Sequence, residues 1–241
     1  MKTIQRSSYA IALPLLCMAN VYADTKPNPW IGAYGQIGLI GYESYIPKGA
    51  SGTTAIPPGN PLSIPAGTYP NTSTANHANG PAANIGIGYN FGIGSDYLLG
   101  VGAALYPGHS RSASSTLVTN IGGTAAVGTG TYDVSNVFSL SLMPGCAIDN
   151  TRLIYAKIGY AGSTINANSA SYPQQSTRVN GTVYGIGYKQ FLSGSIYAFG
   201  EGNYAVNRAK PVTVVTTTGS TVSSTADATG YDFIFGIGYH F

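Results

Sequence analysis

Charge is what this chain has least of. Only 8% of its 241 residues are Asp, Glu, Lys or Arg, against roughly 25% in typical soluble domains. A globule of this length with so few charges would be poorly solvated. Of the eleven basic residues, Lys2 and Arg6 belong to the extreme N-terminus. The nine that remain face eight acids, a net of +1. That balance offers no basic excess for nucleic acid, which is excluded as a partner. Cysteine is almost absent as well: Cys17 and Cys146 are the two in the sequence. Neither is set among spaced ligands, so no metal site and no cofactor are expected. Long apolar runs are also missing. The stretch from Tyr9 through Ala19 is too short for a spanning helix, which needs about 20 residues, and no later stretch serves.

That short run has another use. Lys2 and Arg6 give it a basic start, and it leads into Val21-Tyr22-Ala23. Val21 and Ala23, third and first before Asp24, are compatible with a signal-peptidase site. Residues 1–23 are therefore expected to be a cleaved signal peptide, with 24–241 as one domain outside the cytoplasm. Pro14-Leu15-Leu16 before Cys17 is not the Leu-small-small text of a lipoprotein site. Cleavage at Asp24 would remove Cys17, so the mature domain is expected to hold no intramolecular disulfide. Cys146 reads as a small apolar residue near a strand end.

What the chain has is alternation. In its last eleven residues, Tyr231, Phe233, Phe235, Ile237, Tyr239 and Phe241 take every second place, with Asp232, Ile234, Gly236, Gly238 and His240 between them. Successive side chains of a strand point to opposite faces, so one face here is wholly apolar. Eight segments carry this signature: 30–42, 82–91, 97–106, 134–143, 153–162, 182–191, 196–206 and 231–241. Each is close to the roughly 9–11 residues that cross a bilayer at a tilt. The connections alternate too. Short turns follow the second, fourth and sixth segments; long stretches rich in Ser, Thr, Gly, Ala and Pro follow the others. Short periplasmic turns and long outer loops are the pattern of a transmembrane barrel.

On the terminal Tyr239-His240-Phe241, on this alternation of turns and loops and on strand text such as Ile85-Gly86-Ile87-Gly88-Tyr89, the chain from Trp30 to Phe241 resembles the eight-stranded outer-membrane barrel superfamily, that of the OmpA transmembrane domain and the opacity-type porin family. The resemblance implies an all-β, eight-stranded antiparallel up-and-down barrel in the bacterial outer membrane, with loops exposed at the cell surface. It makes Tyr239 and Phe241 an assembly signal read by the barrel assembly machinery. It makes outer-membrane lipids and lipopolysaccharide the surroundings, and the loops the place where a host or other surface ligand would be met. The chain ends at Phe241, so the periplasmic peptidoglycan-binding domain that follows some of these barrels is not expected.

The strand phase assigns the lumen. Gln36, Asn84, Asn90, Ser139, Ser141, Lys157, Lys189, Glu201, Asn203, Asp232 and His240 point inward. Lys157, Lys189, Glu201 and Asp232 are expected as a charge cluster, either a salt-bridged plug or a charge ring. Inward glycines, among them Gly86, Gly88, Gly185 and Gly187, would either make room for large lumen residues such as Tyr155 or leave a narrow channel. The loops carry Lys48, Arg111, Arg178, Arg208 and Lys210 as a basic rim able to meet phosphates, against Glu43, Asp133 and Asp227. The one catalytic candidate is His109, within Pro107-Gly108-His109-Ser110-Arg111-Ser112. No Asp or Glu stands at a recognisable offset from it, so no enzyme is expected. The functional expectation is a structural surface barrel with loop-mediated interaction or adhesion. A small diffusion channel is the alternative, and a lipid-modifying enzyme a distant third.

Overall fold

A period of two produces strands, and among the described residues there is no helix. The computed structural model describes residues 28–241; the expected signal segment 1–23 lies outside them. Fourteen strands form one antiparallel sheet: β1 (Gly32–Tyr45), β2 (Ala50–Ile56), β3 (Gly67–Ala75), β4 (Ala78–Pro81), β5 (Asn84–Gly92), β6 (Tyr97–His109), β7 (Ala113–Ile121), β8 (Thr124–Ala147), β9 (Arg152–Ser169), β10 (Tyr172–Ser193), β11 (Ile196–Asn207), β12 (Lys210–Val215), β13 (Thr221–Ala226) and β14 (Gly230–His240).

Eight of these close a ring in the order β1, β5, β6, β8, β9, β10, β11, β14. The last strand returns to the first, in register from Tyr34 opposite His240 to Tyr45 opposite Gly230. Outward positions are apolar and exposed: Ile87, Leu142, Ile158, Ile186, Phe235 and Ile237. The inward positions assigned from the sequence are buried, from Gln36 and Asn84 to Glu201 and His240, except Asp232, which is half-buried. One bulge changes the phase of β1. Its register with β14 shifts between Gly38 and Ile40, so Ile40 and Tyr42 turn outward and Glu43 turns into the lumen, 8% exposed. Glu43 is thus a lumen residue and not the loop acid that simple alternation made it.

The stretches expected as long loops are mostly strands. β2, β3, β7, β12 and β13 join the outer ends of β8, β9 and β10 to continue the sheet beyond the ring. The gap between β10 and β12 is bridged where Arg208 N donates to Asn180 O (2.9 Å) and Thr217 N donates to Ser171 O (2.8 Å). We call this continuation the crown. It begins at an irregularity where Asn136 takes a left-handed conformation (φ 51) and β8 shifts register against both β6 and β9. Thr and Val favour strands by their branched shape. Their text lacks apolar alternation because water, not lipid, meets the outer face.

The opposite end has the short turns, at 93–96, 148–151 and 194–195. In the second of them the Asp149 carboxylate accepts from Arg152 Nε (2.7 Å) and from the backbone N of Thr151 (2.8 Å) and Arg152 (2.9 Å). The Arg152 hydrogen bond holds the Asp149 carboxyl down to about 2. Its support for the turn is therefore full above the ordinary carboxylate range and is lost as pH falls through about 2. Trp30, expected to open the first strand, instead precedes it and is fully buried beneath the ring. Cys146, buried on β8, is not a free thiol.

The inward glycines are matched to inward rings. A Cβ at Gly187 would run into the Tyr155 ring, one at Gly88 into Tyr34 and one at Gly238 into Tyr197. They hold space for aromatics that fill the lumen. Tyr155 is 4% exposed and its hydroxyl is bonded to Glu201, so it cannot swing aside. Gly187→Ala is expected to destabilise the folded barrel by about 1–3 kcal/mol, the usual cost of overpacking. Gly94→Ala, where a Cβ meets only ordinary contacts at 3.7 Å and beyond, should stay within about 0.5 kcal/mol of wild type. Urea unfolding in detergent micelles, followed through the single Trp30, measures both. Equal stability of the two variants would show that Tyr155 is not locked.

Candidate functional site

The centre of the lumen is built from three neighbouring strands. Lys157 stands on β9 and Glu201 on β11, with β10 between them. At the matching inward places β10 carries Gly185, opposite Lys157 and Asn203, and Gly187, opposite Tyr155 and Glu201. With no side chain rising from β10, groups on its two neighbours meet above its backbone. Lys157 Nζ donates to Glu201 Oε1 at 2.7 Å, Tyr155 OH donates to Oε2 at 2.7 Å, and Asn203 Nδ2 donates to Oε1 at 2.8 Å. Lys157 and Glu201 are 6% and 5% exposed. Such a pair persists only when its remaining polar capacity is met; the Glu201 carboxylate takes three donors here, while the buried Asn203 Oδ1 beside it has no hydrogen-bond partner among the described residues.

From this pair the network climbs toward the crown. Asn203 Nδ2 also donates to Asp232 Oδ1 (2.9 Å), and Tyr106 OH lies 3.3 Å from both Asp232 oxygens. Tyr45 OH donates to Glu43 Oε2 at 3.1 Å on β1. Asp232 therefore joins Lys157 and Glu201 through Asn203. Lys189, expected in the same cluster, takes no direct part in the ion pair. Its Nζ lies 3.5 Å from the Tyr34 ring centroid, 5.0 Å from that of Tyr197 and 5.4 Å from that of Tyr155. Within such an aromatic cage a desolvated ammonium gains about 2 kcal/mol. The voids left around these groups are small, about 20 Å³ beside the ion pair and about 10 Å³ beside Lys189. Each is on the scale of one water molecule.

Apolar layers bound the network on both sides. Toward the turns, Trp30 stacks on Phe191 at 4.0 Å and meets Tyr197 and His240 edge-on. Toward the crown lies a buried layer of Tyr132, Val134, Ile165 and Val179 with three alanines, 78, 113 and 228. Beyond it the crown borders a partly open cavity of about 410 Å³.

The other expected site residues are on the surface. Lys48, Arg111, Arg178, Arg208 and Lys210 are exposed. They do not form one ring. The backbone bond from Arg208 to Asn180 brings Arg208 beside the strand of Arg178, with Lys210 two residues on. Arg111 instead packs over Gly80 of β4, and Lys48 lines the crown cavity. Tyr239 and Phe241 face outward, their rings 5.1 Å apart. His109, which seemed to lack an acid, has one: its Nδ1 lies 2.8 Å from Asp133 Oδ2, which also accepts from Asn166 Nδ2 at 2.9 Å. The acid lies across the sheet, 24 residues along the chain. Among the described residues no Ser or Thr hydroxyl bonds the other ring nitrogen of His109. Tyr34, Tyr106 and Tyr197 also belong to the lumen site, and no sequence signal marked them beyond their inward phase.

The model of the outer membrane protein beta-barrel domain family matches residues 8–241. No curated protein matches the chain in sequence. Among solved structures, the outer membrane protein OprG of Pseudomonas aeruginosa is 11% identical with a TM-score of 0.53, over 88% of this chain and 96% of its own. That likeness is one of fold. The attachment invasion locus protein Ail of Yersinia pestis is 14% identical with a TM-score of 0.42, over 88% of this chain and 99% of its own. The outer membrane protease OmpT of Escherichia coli is 11% identical with a TM-score of 0.39, over 87% and 97%. The last two scores are too low to add to the fold. With a closed strand ring and a family match across nearly its whole length, this chain belongs to the outer membrane protein beta-barrel domain family and resides in the outer membrane.

Proposed function

We propose that this protein is a non-enzymatic surface barrel whose lumen is a plug and whose crown is the part that meets the exterior. The observation that carries the reading is the Lys157–Glu201 pair, bonded at 2.7 Å and closed over by Tyr155 and Asn203. An eight-stranded ring has room for side chains and little else, and here they leave voids of about 20 Å³ or less around the charges. Ions would have to cross this network and the apolar layers on either side of it. The short turns then lie in the periplasm and the crown outside the cell. In this orientation Arg178, Arg208 and Lys210 sit just above the ring, where lipopolysaccharide phosphates meet them. Tyr239 and Phe241, on the lipid face, form the signal for the barrel assembly machinery.

The plug predicts a coupled result for Glu201→Ala. Removing the acid leaves Lys157 buried without its partner, at a cost of about 3–5 kcal/mol. Melting should fall accordingly, and planar-bilayer currents should rise from near zero in the wild type. A variant as stable as wild type, in a protein that already conducts well, would sink the plug and favour a diffusion channel.

The assembly signal predicts that Phe241→Ser lowers the amount of folded, heat-modifiable protein in the outer membrane more than His240→Ser does. Phe241 is exposed to lipid and His240 is buried toward the lumen. Equal losses would count against this assignment. For the rim, replacing Arg178, Arg208 and Lys210 together by Glu should reduce co-purifying lipopolysaccharide, read by lipid A mass spectrometry, more than Lys48→Glu does. Unchanged retention would remove lipopolysaccharide from the rim's partners.

A further inference from the structure

The crown cavity is not needed to close the lumen, because the layer of Tyr132, Val134, Ile165 and Val179 already separates the two. Nor is it a loose gap between loops. Strands surround it, and two backbone bonds complete its wall, one from Arg208 to β10 and one from Thr217 to the β9–β10 turn. The β2–β3 connection contributes to that wall in a fixed form. Asn60 Nδ2 donates to the carbonyls of Pro57 and Ile64 (3.2 and 2.6 Å), and its Oδ1 accepts from the N of Leu62 and Ile64 (3.2 and 3.1 Å). Leu62 and Ile64 thereby border the cavity.

Its lining has a definite chemistry. Ile56, Leu117, Val214 and Val222 supply aliphatic surface. Thr54 and Thr119 add two hydroxyls 3.0 Å apart, with Asn71 Nδ2 donating to Thr54 at 3.0 Å. The same strands turn Thr53 and Thr213 outward to water. Apolar residues on the inner face of a strand outside the membrane ordinarily pack against one another; here they border about 410 Å³ of space. That volume falls in the range of small-molecule pockets, about 300–1,000 Å³. The charged side chains that reach the lining are Lys48 and Asp227. An ionic ligand seated against the aliphatic walls would lose its hydration without a matching set of partners.

We propose that the crown cavity is a binding site for a small uncharged molecule with an apolar body and a hydroxyl group. The aliphatic wall takes the body, and the Thr54–Thr119 pair takes the hydroxyl. The floor makes it a blind pocket, so the molecule is held at the surface and is not conducted. This site stands apart from the plug and from the rim.

The test uses the full protein in lipid nanodiscs, irradiated with 4-(3-trifluoromethyl-diazirin-3-yl)benzyl alcohol and mapped by peptide mass spectrometry. Adducts are expected on β7, β12 and β13, and excess benzyl alcohol should suppress them several-fold. Val214→Trp, which fills the cavity, should abolish these adducts and leave those on lipid-facing Ile186 and Phe235 unchanged. Leu117→Phe serves the same purpose if the first variant fails to show the heat-dependent gel shift of a folded barrel. The corresponding diazirinyl benzoate should label the crown several-fold less. Adducts confined to lipid-facing strands, crown adducts indifferent to both fillings, or equal labelling by the benzoate would overturn the proposal.

Discussion

Inside a bilayer the backbone has no water to turn to. Each N–H or C=O of β1 or β14 left unpaired in hydrocarbon would cost several kcal/mol, and the pairing of Tyr34–Tyr45 with Gly230–His240 removes that cost along both edges at once. The rest of the molecule follows from this closure. Every ring strand must be long enough to cross and must show lipid an apolar face, which is why Ile, Leu, Phe and Tyr recur at every second place. It also fixes a phase. Once the outward set belongs to lipid, the inward set is committed to a narrow lumen, whatever its chemistry.

That commitment explains the glycines and the charges together. Eight strands leave an interior only as wide as side chains can fill. Large rings from β1, β9 and β11 enter it, so their neighbours opposite must be small, and Gly88, Gly187 and Gly238 are. On β10 the consequence is electrostatic. Because Gly185 and Gly187 raise nothing into the lumen, Lys157 and Glu201 can bridge two strands that are not adjacent. An ion pair in such a place is weak evidence of stability in itself, since desolvation opposes it. Here Tyr155 and Asn203 complete the shell of Glu201, and loss of one partner is what would be costly. Lys189 has no anion in direct contact and faces the rings of three tyrosines instead.

The ring was legible in the sequence because lipid imposes a sharp two-fold contrast, and residues such as Lys157, Glu201, Asn203 and Asp232 fell inward by counting alone. Counting failed where geometry intervenes. A single bulge between Gly38 and Ile40 reverses the faces after it, which hid Glu43 among the loop acids. Asp133 reaches His109 only because β8 folds back along β6, a relation that no local offset records. The cage of Lys189 needs tyrosines from three strands, and strand phase says nothing of how far a ring reaches. The crown was unreadable for a different reason. A text such as Ser114-Ser115-Thr116-Leu117-Val118-Thr119 pairs well as a strand but shows no apolar face to lipid, so it reads as loop.

The difference between ring and crown also separates where this fold can change. A ring residue answers to lipid outside, to a filled lumen inside and to two neighbouring strands. The crown's outer face meets water, which can satisfy a backbone group that loses its partner. Its outward Thr and Ser positions are therefore expected to exchange at little cost to membrane assembly, unlike Gly187 or Glu201. Surface recognition needs variable side chains on a fixed frame. The crown supplies them as paired strands anchored at the Asn136 irregularity, with their far ends tied by Thr217 to Ser171. A long flexible loop would pay an ordering cost on meeting a partner. A crown whose backbone is already paired has met most of that cost in folding, which suits the surface role and the binding site proposed for it.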